Sequence, residues 1–285
     1  DRTDRLVNVS SRLRVATGDA SRSVIAGFVV SGTEAKPVLV RAVGPGLSGF
    51  GVTGVLSNPR VQIYRGSTLV AENEDWGNNA AVSATGDRVG AFRLGAGSAD
   101  AALVATLEPG AYTVVVVPNG GSGVALIEVY DAATNTNLAS QQVVNISTRG
   151  FVDTGDGQLI AGFVVSGNAP KRVLIRGVGP GLTQFGVPGV VADPVLALFA
   201  SGSTTAIAQN NNWGTGQPIN SGQVTATAAE ITAASAAAGA FPLANGSNDA
   251  AIIITLMPGA YSAVVSGANN GTGAGLIEVY EIPSP

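Results

Sequence analysis

Two short strings in the chain contain residues whose types and spacing could support chemistry. The first, GPGLSG at residues 44–49, has the G-x-G-x-x-G spelling of a dinucleotide-binding turn. Such a turn needs a helix that begins at the third glycine and directs its backbone N–H groups at phosphate. Here residues 48–59 carry several helix breakers, and in the second occurrence of the string Gln184 replaces the third glycine. We therefore interpret the string as a tight connection.

The second string, ENEDW, is the densest group of carboxylates and contains Glu72, Glu74 and Asp75. Ca²⁺ prefers several oxygen ligands, so these residues form a candidate calcium site. The corresponding string in the second half of the chain, QNNNW, has no carboxylate, which favours a polar loop that ends in a buried tryptophan. Apart from this calcium candidate we predict no cofactor. The chain contains neither cysteine nor histidine, the usual ligands of zinc.

Charged residues that recur in both halves of the chain form a third candidate. Arg41 and Glu128 lie within apolar strings, and their counterparts are Arg176 and Glu278. A charge in such a place needs a partner. The functional interpretation is a catalytic acid with a positioning arginine, and the structural one is a buried ion pair. We favour the ion pair and predict an acid within hydrogen-bond reach of each arginine. By this interpretation the protein is not an enzyme.

The elements that must position these residues belong to a module that is present twice. The string IAGFVVSG is identical at 25–32 and 160–167, and other strings recur in the same order, namely N-[VI]-S-[ST]-R, VGPGL, PGAY and LIEVY. We place module 1 at residues 1–137 and module 2 at residues 138–285. The polar string AATNTNLASQ links them.

Each module has the pattern of a β domain. Short Val, Ile and Leu segments are separated by Gly, Pro, Asn and Asp. Asn119-Gly120 predicts a hairpin between the last two strands of module 1. The alanine-rich residues 224–238 predict a helix, whereas the matching part of module 1 has room for about one turn. The predicted fold is all-β: two tandem antiparallel, jelly-roll-like β-sandwich domains, with one short Ala-rich helix in the second.

Composition limits the partners of the protein. The formal net charge is −4, and there is no basic stripe, so we expect no nucleic-acid partner. The sequence lacks an apolar run of about 18 residues, so we expect no membrane span. Hydrophobic residues make up 45% of the chain. A soluble chain of this kind buries apolar surface in its own core or against copies of itself.

The order of these strings resembles a repeat found in large secreted and surface proteins of bacteria. Each module carries one copy of the repeat, so the resemblance covers nearly the whole chain. Residues 109–131 are also similar to the β-sandwich modules appended to secreted peptidases. The resemblance implies export and a module used in tandem, and it transfers no catalytic residue. We expect an extracellular or cell-surface location after export with a cleaved signal peptide.

These observations favour a structural subunit of an extracellular self-assembling polymer, such as a filament, a pilus-like fibre or a surface layer. We expect its partner to be the protein itself, in head-to-tail β contacts. Pairing of the N-terminal strand with the C-terminal module of a neighbouring copy would supply the contact. The candidate interface residues are Leu6, Val7, Val9, Leu13 and Val15. The alternative is a carbohydrate-binding or adhesion protein of the cell surface, with surface glycans as partners.

Overall fold

The computed structural model describes residues 5–16, 24–133, 141–215 and 226–282. Over these ranges the chain is all-β and antiparallel, and its strands form two sheets of eight, as the sequence predicts. Module 1 contributes β1 (Arg5–Ala16), β2 (Val24–Gly32), β3 (Lys36–Val43), β4 (Pro59–Arg65), β5 (Thr68–Asn73), β6 (Ala101–Leu107), β7 (Gly110–Pro118) and β8 (Ser122–Asp131). Module 2 contributes β9 (Gln141–Val152), β10 (Leu159–Ser166), β11 (Lys171–Val178), β12 (Pro194–Ala200), β13 (Ala208–Asn210), β14 (Ala250–Leu256), β15 (Gly259–Gly267) and β16 (Gly273–Glu281).

Both sheets run continuously through both modules. The first has the order β13-β12-β15-β10-β1-β8-β3-β6, and the second has the order β14-β11-β16-β9-β2-β7-β4-β5. Each module therefore contributes four strands to each sheet. Replacing every strand by its counterpart in the other module converts one sheet into the other, so the topology has an internal twofold symmetry. Instead of two separate sandwiches, the modules form one double sandwich with a common apolar core. The proposed boundary after residue 137 lies outside the described residues.

The junction between the modules is made by the most strongly repeated strings. Strand β1 pairs with β8 of its own module and with β10 of module 2, and β9 pairs in the same way with β16 and β2. Ser10 lies opposite Gly162, and Ser147 lies opposite Gly27. A Cβ on Gly162 would be 2.5 Å from the Ser10 Oγ, and a Cβ on Gly27 would overlap the Ser147 Oγ. A Cβ at either glycine would therefore displace the hydroxyl of the serine that faces it from the other module.

This junction corrects the predicted role of the N-terminal strand. Val9, Leu13 and Val15 are buried in the common core, and Leu6 and Val7 belong to the same strand. Both edges of β1 are hydrogen-bonded within the chain. The strand does pair with a C-terminal module, but that module belongs to the same molecule. The expectation that it pairs with a neighbouring copy is wrong for this structure, because β1 has no open edge.

Two α-helices lie on the outer faces of the sandwich in the described residues. α2 (Ala228–Ala237) falls within the predicted range and begins at a capping box of Thr227 and Glu230. The hydrogen bonds that the Glu230 carboxylate accepts from Thr227 lower its pKa below the ordinary value. The expectation of about one turn in module 1 is wrong, because α1 (Ala80–Val89) has ten residues. The Asn79 side chain caps its first turn, and a left-handed Gly90 ends it.

The predicted hairpin after β7 is also wrong. Gly120 and Gly121 adopt positive φ angles of 94° and 72°, so the chain turns where the sequence indicates. However, β7 belongs to the second sheet and β8 to the first, so the turn carries the chain between the sheets. Within the described ranges, neither helix has the length and apolar character needed to cross a membrane.

Candidate functional site

The recurring charges form a buried cluster on the outer face of the first sheet in module 1. Arg41 on β3 lies opposite Glu128 on β8, and their side chains are 2% and 5% exposed. The Arg41 Nε donates a hydrogen bond of 2.8 Å to the Glu128 Oε2, and the Nη2 donates to the same oxygen. The Tyr130 hydroxyl donates to the Glu128 Oε1 at 2.7 Å. The predicted ion pair is therefore present.

An aromatic stack covers this ion pair. The Arg41 Cζ lies 4.3 Å from the centre of the Phe92 ring, and the Arg41 Nη1 donates to the Phe92 carbonyl oxygen at 2.6 Å. The Phe92 ring meets the Phe50 ring edge to face, with 4.8 Å between their centres. Phe50 is 64% exposed and lies on the 3₁₀ turn that follows β3. The stack runs from a buried carboxylate to an exposed ring.

Module 2 repeats the cluster on the outer face of the second sheet. The Arg176 Nε donates to the Glu278 Oε2 at 2.8 Å, and the Tyr280 hydroxyl donates to the Oε1 at 2.7 Å. The Phe241 ring covers Arg176 at 4.3 Å and meets the exposed Phe185 edge to face. The two phenylalanines on the 3₁₀ turns are thus exposed at equivalent places.

The geometry of the cluster is that of a buried ion pair. Both oxygens of Glu128 accept hydrogen bonds from buried partners. Burial, followed by the neighbouring Glu128 carboxylate, raises the pKa of Tyr130 far above its ordinary value, so the phenol stays protonated and donates. A carboxylate held between a buried arginine and a buried phenol is not placed to exchange a proton with a substrate.

The glycine string has an internal anion in place of a phosphate. The carboxylate of the fully buried Asp100 accepts hydrogen bonds from the Gly44 N–H at 2.8 Å and from the Gly46 N–H at 3.1 Å. The Ser98 hydroxyl donates to the same carboxylate at 2.8 Å. Asp249 makes the equivalent contacts with Gly179, Gly181 and Ser247. The backbone donors that a nucleotide would need are already used, and the interpretation of a tight connection is confirmed.

Replacement of Gly44 by alanine tests this close approach. A Cβ at this position would overlap the Leu56 carbonyl oxygen. We expect Gly44→Ala to lower the free energy of unfolding by about 1–3 kcal/mol, because backbone must move. In the same string, a Cβ on Gly49 would have no other atom within 4 Å. Gly49→Ala is therefore the control, with an expected change within about 0.5 kcal/mol. Denaturant unfolding that gave equal changes would contradict the prediction.

A second buried ion pair was not predicted. The Lys36 Nζ lies 2.8 Å from the Asp131 Oδ2, and both side chains are 0% exposed. In module 2, Lys171 pairs with Glu281, and both side chains are 22% exposed. A comparison of the halves by residue identity misses the acids, because module 1 has Asp131 where module 2 has Glu281. A comparison of the halves by charge instead of by residue identity would have identified these acids.

The calcium candidate is not supported. Glu72 accepts a hydrogen bond of 2.9 Å from the Gln62 Nε2, and Glu74 accepts one from the Asn119 Nδ2. These carboxylates are held by different strands and loops and do not converge. In the described part of the chain, no group of three or more acidic side chains could hold a metal ion. The string instead leads to the buried Trp76, as Trp213 is buried in module 2.

No protein-family description and no curated protein matches the sequence. Among solved structures, the chain aligns over its whole length with 82% of a DUF4785 family protein from Legionella pneumophila, at 11% identity and a TM-score of 0.23. It aligns over 99% of its length with 62% of PNGF-II, at 8% identity and a TM-score of 0.23. It aligns over 95% with 76% of vicilin from hazelnut, Corylus avellana, at 7% identity and a TM-score of 0.19. These scores are too low to carry an argument about function.

Proposed function

We propose that the protein is a structural subunit of an extracellular self-assembling polymer, whose copies join end to end through the edges of their sheets. The observation that carries this proposal is the location of exposed apolar side chains. In the described residues six large apolar side chains are exposed, and four of them lie at sheet edges. Leu69 and Val70 are on β5, Val104 is on β6, and Met257 directly follows β14.

These strands lie at the two ends of the double sandwich. β5 and β6 are the last strands at one end, and β13 and β14 are the last strands at the other. An edge strand offers unpaired N–H and C=O groups to another chain. β5 contains neither lysine nor proline, and its one charged residue is Glu72, which accepts a hydrogen bond from Gln62 of β4. Contact between opposite ends does not close on itself and produces a filament, with a repeat of about 38 Å for eight strands spaced about 4.8 Å apart.

The proposed extracellular or cell-surface location rests on the sequence. The tandem strings resemble a repeat of secreted and surface proteins of bacteria. The chain has no cysteine and only 12% charged residues. In this proposal the β1 strand holds the modules of one molecule together, and the sheet edges hold neighbouring molecules together.

Lysines on the β5 edge are expected to abolish assembly. Leu69→Lys/Val70→Lys places two positive charges where a neighbouring strand would dock, so desolvation and repulsion oppose pairing. Electron microscopy of the wild-type protein should show regular fibres, and the variant should remain as single folded molecules. Ala81→Lys/Ala84→Lys adds the same charge on the exposed face of α1 and should leave the fibres intact. Single wild-type molecules at high concentration would contradict the proposed function.

A second candidate is binding to surface glycans, as an adhesion protein of the cell surface. The observation that favours it is the pair of exposed rings, Phe50 and Phe185, each supported from below by a second phenylalanine. Aromatic rings supply flat apolar contact area at small cost in conformational freedom. A glycan array distinguishes the two candidates, since specific binding supports adhesion and is not expected of a purely structural subunit.

A further inference from the structure

The two modules differ in a cavity at the same place beneath their helices. In module 2 a cavity of about 250 Å³ lies between α2 and the segment that follows it. Its walls include Trp213, Ile231, Ala236, Ala240, Pro242 and Leu243. The equivalent space in module 1 measures only about 20 Å³, although Trp76, Val82, Ala91 and Leu94 line it in the same way. The chain therefore contains a large and a small form of one site.

Two substitutions between the modules account for the difference in chemistry at the walls. In module 1 the Arg93 Nε and Nη2 donate hydrogen bonds of 2.9 Å to the two oxygens of Asp87. Both residues line the small cavity, and their side chains are 81% (Arg93) and 46% (Asp87) exposed. Alignment of the helices and of the following segments places Ala236 where module 1 has Asp87, and Pro242 where it has Arg93. Module 2 has neither charge, and its cavity is the larger one.

The walls of the larger cavity call for an apolar occupant. None of its lining residues carries a charge. The Trp213 Nε1 donates to the Ser247 Oγ at 3.2 Å, and the hydroxyl of Thr232, also in the wall, donates to the Ala228 carbonyl oxygen at 2.8 Å. These polar groups already have partners, so they gain little from a polar ligand.

The volume sets the size of the occupant. An apolar cavity of about 150 Å³ in another protein remains dry and binds benzene. A cavity of about 250 Å³ accommodates one aromatic ring with a short alkyl chain. We propose that module 2 contains a binding site for a small apolar molecule of this class, beneath α2 and against Trp213, and that the Asp87–Arg93 pair narrows the equivalent site in module 1.

Titration of the full chain with ethylbenzene tests the site. Calorimetry should give one molecule bound per chain, with a dissociation constant on the order of 0.1–1 mM. The fluorescence of Trp213 should change with the same midpoint. No saturable binding by the wild-type chain would overturn the proposal.

Exchange of the two differing positions provides matched variants. Ala236→Asp/Pro242→Arg introduces the module 1 pair and should weaken ethylbenzene binding at least tenfold. Ala240→Leu fills the cavity from the inside and should have the same effect without adding charge. Ala233→Asp adds a charge to the same helix at an exposed position that does not line the cavity, and it should bind like the wild type. Unchanged binding in both filled variants, each confirmed as folded by circular dichroism, would overturn the assignment of the site.

Discussion

Replacement of Glu128 by leucine is expected to lower the free energy of unfolding by about 3–5 kcal/mol. The variant leaves the Arg41 guanidinium buried without its carboxylate, and it removes the acceptor of the Tyr130 hydroxyl. A buried charge without a partner carries most of its desolvation cost, whereas the pair itself contributes little relative to apolar side chains of similar size. The measurement is denaturant unfolding, with the midpoint and the slope both recorded.

Two controls separate this effect from simple loss of packing. The double variant Arg41→Met/Glu128→Leu removes both charges and should recover most of the stability that the single variant loses. Arg93→Ala breaks an ion pair whose arginine side chain is 81% exposed, and it should change stability little because water already screens that pair. If the double variant were less stable than Glu128→Leu, the explanation by an uncompensated charge would be wrong.

The ion pair could be predicted from sequence, whereas its surroundings could not. Arg41 and Glu128 recur as charges within apolar strings, and the cost of burying a charge requires that they meet. Nothing local indicates that Phe92 covers Arg41, because Phe92 follows α1 and reaches β3 only through the fold. The extent of α1 was missed for a related reason. Its interior contains Ser83, Thr85 and Gly86, which have weak helix propensity, and the Asn79 cap and burial on the sheet compensate.

The way in which the two modules join depends on residues that are even farther apart in the sequence. Tandem duplication makes a junction within a chain and a junction between chains look the same in sequence, because both use the same strings. The predicted partner of β1, the C-terminal module, is the correct one, but the molecule is not. The pairs Ser10–Gly162 and Ser147–Gly27 satisfy both copies of the junction within one chain. With the junction made inside the chain, the strands at the sheet ends are the ones that still have an unpaired edge within the described residues.

Deletion of residues 1–16 is therefore expected to have the largest effect of any change considered. It removes a strand from the middle of the first sheet, together with the buried side chains of Val9, Leu13 and Val15. Each buried side chain of this size contributes about 1.5–3 kcal/mol, and the total stability of a typical domain is about 5–15 kcal/mol. The strand also pairs with β8 and β10, whose edges would be left open. The truncated chain should lose the cooperative thermal transition and aggregate.

A peptide with the sequence of residues 5–16 supplies the decisive measurement for this deletion. Because β1 is held by main-chain pairing on both sides and by its buried face, the peptide added in trans should bind the truncated chain and restore its β-sheet circular dichroism. A peptide with Val9, Leu13 and Val15 replaced by serine keeps the backbone donors but not the apolar face, and it should fail. In the full chain, Arg12→Ala/Arg14→Ala alters only exposed side chains of the strand and should leave it folded. A truncated chain that melts like the wild type would show that β1 is not what joins the two modules, and the double sandwich would then have to be held by β9 and β2 alone.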